Sequence, residues 1–228
     1  MKYEQGLLEQ GAELVAGVDE VGIGAWAGPV VVGAVILPPG KRIYKVRDSK
    51  LLDAGRREWL ADKVRSQSLC WAIGLAWPDE IDTVGLSEAI RRAGLRAYSG
   101  LSAVPDAMLV DGNWNFFKPL QGTPGAESSP GPNVKMVVRG DCESVSIACA
   151  SLIAKVARDR LMERLGRFYP PYAFDSNKGY PSPFHKWALS AYGPCRMHRV
   201  LFDPIRRLID GGTPGRLLPP GGGEWAAN

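Results

Sequence analysis

The sequence predicts an α/β protein in which a mixed sheet carries helices on both faces, followed by a small helical unit at the C-terminus. Three observations lead to this class. Apolar runs of strand length alternate with amphipathic segments of helical length between residues 14 and 167. Only a few residues separate the first two runs, which favours an antiparallel hairpin. After the Tyr-Pro-Pro sequence at 169–171, the chain offers only short helical segments.

The predicted elements follow the order β-β-α-β-α-β-β-α. The hairpin occupies residues 14–20 and 29–37. The later elements are a helix over 53–65, a strand over 70–77, a helix over 86–101, strands ending at Asp111 and Asp141, and a helix over 144–167. Residues 118–133 are rich in Pro, Gly and Ser and are interpreted as a loop. The expected regions are a sheet domain over 1–170, a helical unit over 171–210 and a disordered tail over 211–228.

The composition is that of an ordinary globular protein and excludes several other classes. Hydrophobic residues make up 45% of the 228-residue chain and charged residues 23%. The longest apolar run, residues 30–37, is too short to span a bilayer, so no membrane partner is expected. Residues 1–13 have no apolar signal core, which favours a cytoplasmic protein. The four cysteines form no CxxC pair and fit reduced thiols better than a zinc site.

Four carboxylates stand where apolar runs end in small residues: Asp19, Glu20, Asp111 and Asp141. If the strands are neighbours, these acids converge at one edge of the sheet. Gathered carboxylates repel one another and lose hydration, so such a cluster normally exists to hold cations. Each aspartate taken alone could instead open a turn or cap a helix.

Basic residues are concentrated in two stretches, although the net charge of the chain is only +4. One stretch covers residues 41–65 and the other 155–167. Basic surface beside an acidic centre suggests that a polyanion is held for metal-assisted chemistry. A solvated helix face with interleaved acids is the alternative for either stretch taken alone.

Two short motifs indicate contacts to a substrate. Residues 22–27 match the dinucleotide fingerprint GxGxxA, but a strand follows where that fingerprint needs a helix. We interpret Gly22, Ile23 and Gly24 as a tight loop whose bare backbone approaches a substrate, with a plain hairpin turn as the alternative. Ser49 and Lys50 place a hydroxyl and a cation ahead of a helix, where they can bind phosphate or merely cap the helix.

Taken together, the motifs resemble the ribonuclease HII family. The matching segments, in family order, are residues 16–24, 27–31, 48–51, 110–113, 138–141, 146–159 and 177–181, then His185, 193–194 and His198-Arg199. The resemblance implies a ribonuclease H-like fold. It also implies an endonuclease that cuts RNA paired with DNA, and cuts at ribonucleotides embedded in duplex DNA. The implied regions are a catalytic domain over 1–170 and a substrate-binding helical unit over 171–210.

The resemblance also assigns roles to individual residues. It implies that Asp19, Glu20, Asp111 and Asp141 are catalytic and bind two Mg²⁺ or Mn²⁺ ions, which suit hard carboxylate oxygens. Positions that hold phosphates are matched by Ser49, Lys50 and Lys155. Tyr180 matches a tyrosine that stacks on the sugar at the RNA–DNA junction. The backbone of Gly22 and Gly24 is then placed to recognise the 2′-hydroxyl, which distinguishes RNA from DNA.

One position departs from the family pattern, because Ile23 stands where an arginine is expected. Backbone contacts from the flanking glycines need no side chain, but a charge-assisted hydrogen bond contributes about 1.5–3 kcal/mol. We therefore expect weaker binding or relaxed junction preference with intact chemistry. Two other functions stay open: a catalytically weak or inactive hybrid-binding protein of the same fold, and a related carboxylate nuclease that cuts DNA. The chain is expected to act as a monomer.

Overall fold

The computed structural model describes residues 2–115, 117 and 132–211. The side chain of Lys50 lies outside this description. So do nearly all of the loop predicted over 118–133 and all but the first residue of the tail predicted over 211–228. No helix within the described residues is long and apolar enough to cross a bilayer.

Five strands form one mixed sheet in the order β3-β2-β1-β4-β5. The strands are β1 (Val15–Val21), β2 (Val30–Ile36), β3 (Cys70–Ala76), β4 (Ala107–Asp111) and β5 (Asn133–Val137). The predicted hairpin is confirmed, since β1 pairs antiparallel with β2, and β2 pairs antiparallel with β3. Strands β4 and β5 extend the other side of β1 in parallel. Every residue of β2 is buried, as its unbroken apolar sequence requires.

The three long helices follow the predicted order, and short helices are present after residue 171 as expected; the structure adds a short helix before β1, one after β3 and one after β5. They are α1 (Lys2–Glu9), α2 (Ala54–Gln67), α3 (Pro78–Val84), α4 (Leu86–Ser99), α5 (Gly140–Glu143), α6 (Val145–Phe168), α7 (Phe174–Asn177), α8 (Pro183–Tyr192) and α9 (Asp203–Asp210). Helix α2 begins after Asp53, whose side chain accepts a hydrogen bond from the Arg56 amide. The sequence did not predict α1, which is short and polar.

Glycines let helices lie directly against both faces of the sheet. A Cβ atom on Gly33 of β2 would lie 2.5 Å from the Ala150 carbonyl oxygen in α6. A Cβ atom on Gly74 of β3 would lie 1.8 Å from the Ala93 carbonyl oxygen in α4. Gly33 pairs with Ile73, the neighbour of Gly74, so the two glycines face opposite sides. The predicted mixed sheet with helices on both faces is therefore confirmed.

The strand predicted to end at Asp141 is shorter than expected. Strand β5 ends at Val137, and a turn follows in which Arg139 adopts the left-handed conformation with φ of 55°. The Gly140 amide then donates a hydrogen bond to Asp111 Oδ1 at 2.6 Å. Because this bond draws the amide to a side chain instead of to a neighbouring strand, pairing stops and α5 begins. Asp141 thus lies in a one-turn helix.

The chain folds into two compact units. The first contains the sheet and is built from the chain up to Val21, Val30–Ala76 and Leu86–Arg158. The second is built from Gly22–Pro29, Trp77–Gly85 and the chain from Asp159 onward. It has its own core, which includes Met162, Tyr172, Phe174, Leu189 and Ile205. The second unit thus begins before residue 171 and includes two segments from the N-terminal half.

Candidate active site

Three of the four candidate carboxylates are brought together in the first unit. Asp19 and Glu20 lie on β1, and Asp111 is the last residue of β4. The two strands are parallel, with Val18 opposite Val110, so Asp19 and Asp111 each follow a paired residue. Because β1 and β4 are parallel and paired in this register, Asp19 and Asp111 lie at the same edge of the sheet. The side chain of Asp19 is buried, with 6% of the residue exposed.

Two effects raise the pKa values of Asp19 and Glu20: burial is the larger, and repulsion from neighbouring carboxylates is the smaller. Burial raises the pKa of Asp19 well above its ordinary value, and the charges of Glu20 and Asp111 add to the rise. Burial, together with the charge of Asp111, raises the pKa of Glu20 to about 7. Ionising Asp19 and Glu20 together is therefore unfavourable unless a positive charge compensates them.

Asp141 lies in α5, which follows β5. Its neighbour Gly140 is the residue whose amide binds the Asp111 carboxylate. A Cβ atom on Gly140 would lie 2.4 Å from Ile147 Cδ1 and 3.2 Å from Asp111 Oδ1, so a larger residue here would displace the Ile147 side chain. The charges of Glu20 and Asp111 act on Asp19, and Asp141 follows the residue whose amide binds Asp111.

The residues present fit a divalent cation. Glu20 Oε2 is buried and has no hydrogen-bond partner among the described residues. A buried carboxylate oxygen without a donor is unfavourable, and a cation would satisfy it. All four side chains offer the hard oxygen atoms that Mg²⁺ and Mn²⁺ prefer. Within the described part of the chain, no three His, Cys, Asp or Glu residues form a ready-made metal cage.

Helix α6 contributes a residue that the sequence analysis missed. The Ser151 side chain forms a hydrogen bond with the Asp19 carboxylate, which opposes the effect of burial on its pKa. Lys155, a candidate phosphate ligand, is one helical turn further along α6 and is half-buried. The spacing of Ser151 and Lys155 on one helix face is the signal that could have identified the serine.

The other candidate phosphate ligands lie in the same unit. Ser49 opens a 3₁₀ turn, Ser49–Leu51, and is half-buried. Its amide donates to the Val46 carbonyl at 3.2 Å. The backbone of Lys50 lies in this turn. The turn is not stabilised by a side-chain cap from Asp48, so the capping role considered for this motif is not realised there.

The second unit holds the glycine loop and Tyr180. Gly22 has φ of 91°, and Ile23 and Gly24 are exposed, with 38% of Ile23 accessible. A strand, and not a helix, follows this loop, so a dinucleotide-binding motif is excluded here. The Trp26 amide donates to the Gly179 carbonyl at 2.9 Å, which joins the loop to the residue preceding half-buried Tyr180.

A fully buried arginine holds the glycine loop in shape. Arg199 Nη1 donates to the Ile23 carbonyl at 2.9 Å. Its Nε and Nη2 donate to the Gly28 carbonyl at 3.1 and 2.9 Å. These bonds go to backbone carbonyl oxygens, so they do not require a particular side chain at position 23.

Comparison with known proteins identifies the family of this chain. A sequence model of the ribonuclease HII family matches residues 16–204. The chain belongs to the ribonuclease HII family. Ribonuclease HII of Thermus thermophilus is 45% identical over 192 residues, which are 84% of this chain and 87% of that protein. Ribonuclease HII of Nitrosococcus oceani is 45% identical over 196 residues, covering 86% and 92%.

Solved structures of the family have the same fold. Ribonuclease H2 from Pyrococcus horikoshii OT3 superposes with a TM-score of 0.73 at 29% identity, covering 87% of this chain and 98% of that one. Archaeoglobus fulgidus ribonuclease HII, in a structure of its complex with PCNA, gives 0.66 at 27% identity, covering 83% and 95%. These comparisons confirm the family, the ribonuclease H-like fold and an endoribonuclease activity on RNA/DNA hybrids.

Proposed function

We propose that this ribonuclease HII cleaves at single ribonucleotides embedded in duplex DNA as well as in longer hybrids, with Asp19, Glu20, Asp111 and Asp141 as its catalytic carboxylates. The observation that carries the proposal is the cluster of buried Asp19 with half-buried Glu20 and Asp111. The raised pKa values of Asp19 and Glu20, and the unpartnered Glu20 oxygen, are unfavourable for a protein that gains nothing from them. Such a cluster is stabilised when it holds cations.

The four carboxylates would bind two divalent cations, Mg²⁺ or Mn²⁺. In this proposal Asp19 would contribute to holding both ions, Glu20 and Asp111 would hold one, and Asp141 the other. Bound ions would activate water and neutralise charge at the phosphate, so that cleavage leaves a 3′-hydroxyl and a 5′-phosphate.

The surrounding protein keeps these carboxylates oriented. Asp19 Oδ1 accepts a hydrogen bond from the Glu20 amide at 2.8 Å, and the carboxylate also bonds to Ser151. Asp111 Oδ1 is held by the Gly140 amide. These donors fix the side chains before substrate arrives, which lowers the reorganisation that the reaction requires. Ser49, Lys50 and Lys155 are proposed to bind phosphates of the duplex.

Residues of the second unit are proposed to recognise the sugar. Tyr180 stacks on the sugar at the RNA–DNA junction, and the backbone of Gly22 and Gly24 contacts the 2′-hydroxyl. Ile23 supplies no charged contact there. In this proposal residues 1–170 are the catalytic domain and 171–210 bind substrate. The protein is proposed to be a cytoplasmic monomer.

The test is cleavage of a labelled DNA duplex that contains one ribonucleotide. An all-DNA duplex and a long RNA/DNA hybrid are run beside it in Mg²⁺ and then Mn²⁺, with Asp111→Asn as the control. The proposal requires a cut on the 5′ side of the ribonucleotide that Asp111→Asn abolishes. Cleavage of the hybrid alone would refute the recognition of single ribonucleotides. Binding without any cleavage would favour a binding protein, and cutting of all-DNA duplex a DNA nuclease.

A further inference from the structure

Two histidines are buried against each other in the core of the second unit. His185 and His198 are 0% and 1% exposed, and they are the only two histidines of the chain. Their Nε2 atoms are 3.0 Å apart. The edge of Phe174 packs against His185, and Tyr172 packs against His198 with ring centroids 4.8 Å apart. A buried pair of imidazoles at this distance must share one proton in a hydrogen bond.

The backbone contacts determine which ring nitrogen carries each proton. The Cys195 amide lies 2.9 Å from His198 Nδ1 and can only donate, whereas the Cys195 carbonyl oxygen lies 3.2 Å from the same nitrogen and already accepts from the His198 amide at 2.9 Å. The shorter contact makes Nδ1 an acceptor, so the proton of neutral His198 is on Nε2, which donates to His185 Nε2. His185 must then carry its proton on Nδ1, which lies 2.9 Å from the Tyr180 carbonyl oxygen. These two tautomers satisfy the three shorter contacts of the pair.

The same environment keeps both rings neutral. Burial lowers the pKa of His185, although its hydrogen bond to the Tyr180 carbonyl opposes the shift. Burial and then the neighbouring His185 lower the pKa of His198 to about 4. Near neutral pH, neither ring is a cation that could hold a phosphate.

We propose that His185 and His198 form a hydrogen-bond relay of fixed direction, from the Cys195 amide to the Tyr180 carbonyl, that positions Tyr180 for substrate. They are positioning residues and not catalytic ones, because neither ring is exposed to substrate. The proposal rests on the proposed role of Tyr180 at the sugar.

The relay acts on a peptide that is also held from the other side. The Gly179 carbonyl accepts hydrogen bonds from the Trp26 and Ala27 amides at 2.9 and 3.3 Å. A Cβ atom on Gly179, whose φ is +81°, would lie 2.3 Å from the Ala27 carbonyl oxygen. The Gly179–Tyr180 turn is thus held by the glycine loop through one carbonyl and by His185 through the next. Since a side chain follows its backbone, these bonds determine where the Tyr180 ring lies.

Directional bonding separates this role from simple packing. An apolar ring of similar size could fill the space of either histidine. In place of His198, such a ring would leave the Cys195 amide without an acceptor inside the core. In place of His185, it would remove the hydrogen bond to the Tyr180 carbonyl. The Tyr180 carbonyl also accepts from the Ser182 amide at 2.8 Å, so the turn forms without His185 but loses one of its two restraints.

Two substitutions of His185 separate the ends of the relay. In His185→Asn the side-chain amide nitrogen replaces Nδ1, so the variant keeps the hydrogen bond to the Tyr180 carbonyl and loses the hydrogen bond to His198. In His185→Gln the side-chain amide oxygen replaces Nε2, so the variant keeps the hydrogen bond from His198 and loses the hydrogen bond to the Tyr180 carbonyl. We expect His185→Gln to lower kcat/KM on the single-ribonucleotide duplex about tenfold, as for one lost buried hydrogen bond, and His185→Asn about threefold or less. Equal losses in the two variants would overturn the proposal.

A double-mutant cycle tests whether the effect passes through Tyr180. In a Tyr180→Ala background, His185→Gln should cost nothing further, because the ring that it positions is gone. The same tenfold loss in both backgrounds would refute the positioning role. Should His185→Gln fail to fold, His198→Asn replaces it, since this change keeps an acceptor for the Cys195 amide and removes the bond to His185.

The relay itself is measured without nucleic acid. Long-range ¹H–¹⁵N NMR of the whole protein at pH 7 should show the proton of His185 on Nδ1 and that of His198 on Nε2, with the two histidines assigned by single substitution. The reverse assignment, two Nε2-H rings or a charged ring would overturn the relay. If wild-type protein fails to cleave while the NMR result holds, the failure lies in the proposed function and not in the relay.

Discussion

Replacing Glu20 by glutamine should stabilise the metal-free protein while removing activity. The carboxyl is half-buried and its pKa is raised from 4.5 to about 7, first by burial and then by the charge of Asp111. A rise of this size corresponds to about 3 kcal/mol of unfavourable free energy when the group is ionised. Glutamine keeps the shape of the side chain and removes the charge, so we expect a gain of about 1–3 kcal/mol at pH 8.

The sign of the pH dependence follows from the direction of the shift. A carboxyl whose pKa is raised on folding binds its proton more tightly in the native state than in the unfolded state. Its contribution to stability is complete below pH 4.5 and is lost as the pH rises through about 7. The advantage of Glu20→Gln should therefore be large at pH 8 and small at pH 5.

The assay is thermal unfolding of wild type and Glu20→Gln in EDTA at pH 5 and 8, and again with millimolar Mg²⁺. A gain of 2 kcal/mol corresponds to about 4–8 °C in Tm for a chain of this size. Mg²⁺ should stabilise wild type more than the variant. Glu9→Gln is the matched control, because Glu9 is exposed. A lower Tm for Glu20→Gln at pH 8 in EDTA would refute the electrostatic reasoning.

Three further predictions concern other parts of the molecule. Glu4→Gln should lower stability by about 1–3 kcal/mol in chemical denaturation, because the buried Glu4 carboxylate accepts from Ser144 Oγ at 2.7 Å and the Ser146 amide at 3.0 Å at the start of α6. Although burial opposes the shift, these bonds lower the pKa of Glu4, so the difference from wild type should shrink as the medium becomes acidic; a constant difference would contradict this. Gly74→Ala should unfold at lower denaturant concentration, since its Cβ would lie 1.8 Å from a carbonyl oxygen of α4. Gly6→Ala is the matched control and should not, because Gly6 has no positive φ and nothing lies within 4 Å of its Cβ. Ile23→Arg should tighten binding of a junction duplex about tenfold or more by adding a charge-assisted hydrogen bond. Unchanged affinity in a titration with an uncleavable duplex would exclude that contact.

Much of the first unit can be predicted from local sequence patterns. The hairpin of β1 and β2, helices α2 and α4, and the ends of β3 and β4 follow from apolar periodicity, which is a local property of the chain. Helix α1 was not predicted because it is short and polar. Its buried residues are Glu4 and Leu7, and Glu4 bonds to residues about 140 positions away. Local periodicity carries no information about such contacts.

The sequence by itself determined the order of the elements, the family, and the identity of the four carboxylates as candidates. Only the tertiary structure decided that Asp141 lies in α5 and that Ser151 bonds to Asp19. It also decided that Arg199 binds the carbonyl of Ile23 and that the histidine pair contacts the carbonyl of Tyr180. The reason is physical. Strand and helix patterns arise from neighbours along the chain, whereas Arg199 binds carbonyls more than 170 positions away and the two histidines meet across α8 and the segment that follows it. Those partners are chosen by the packing of a buried core, in which every polar group must find a donor or an acceptor.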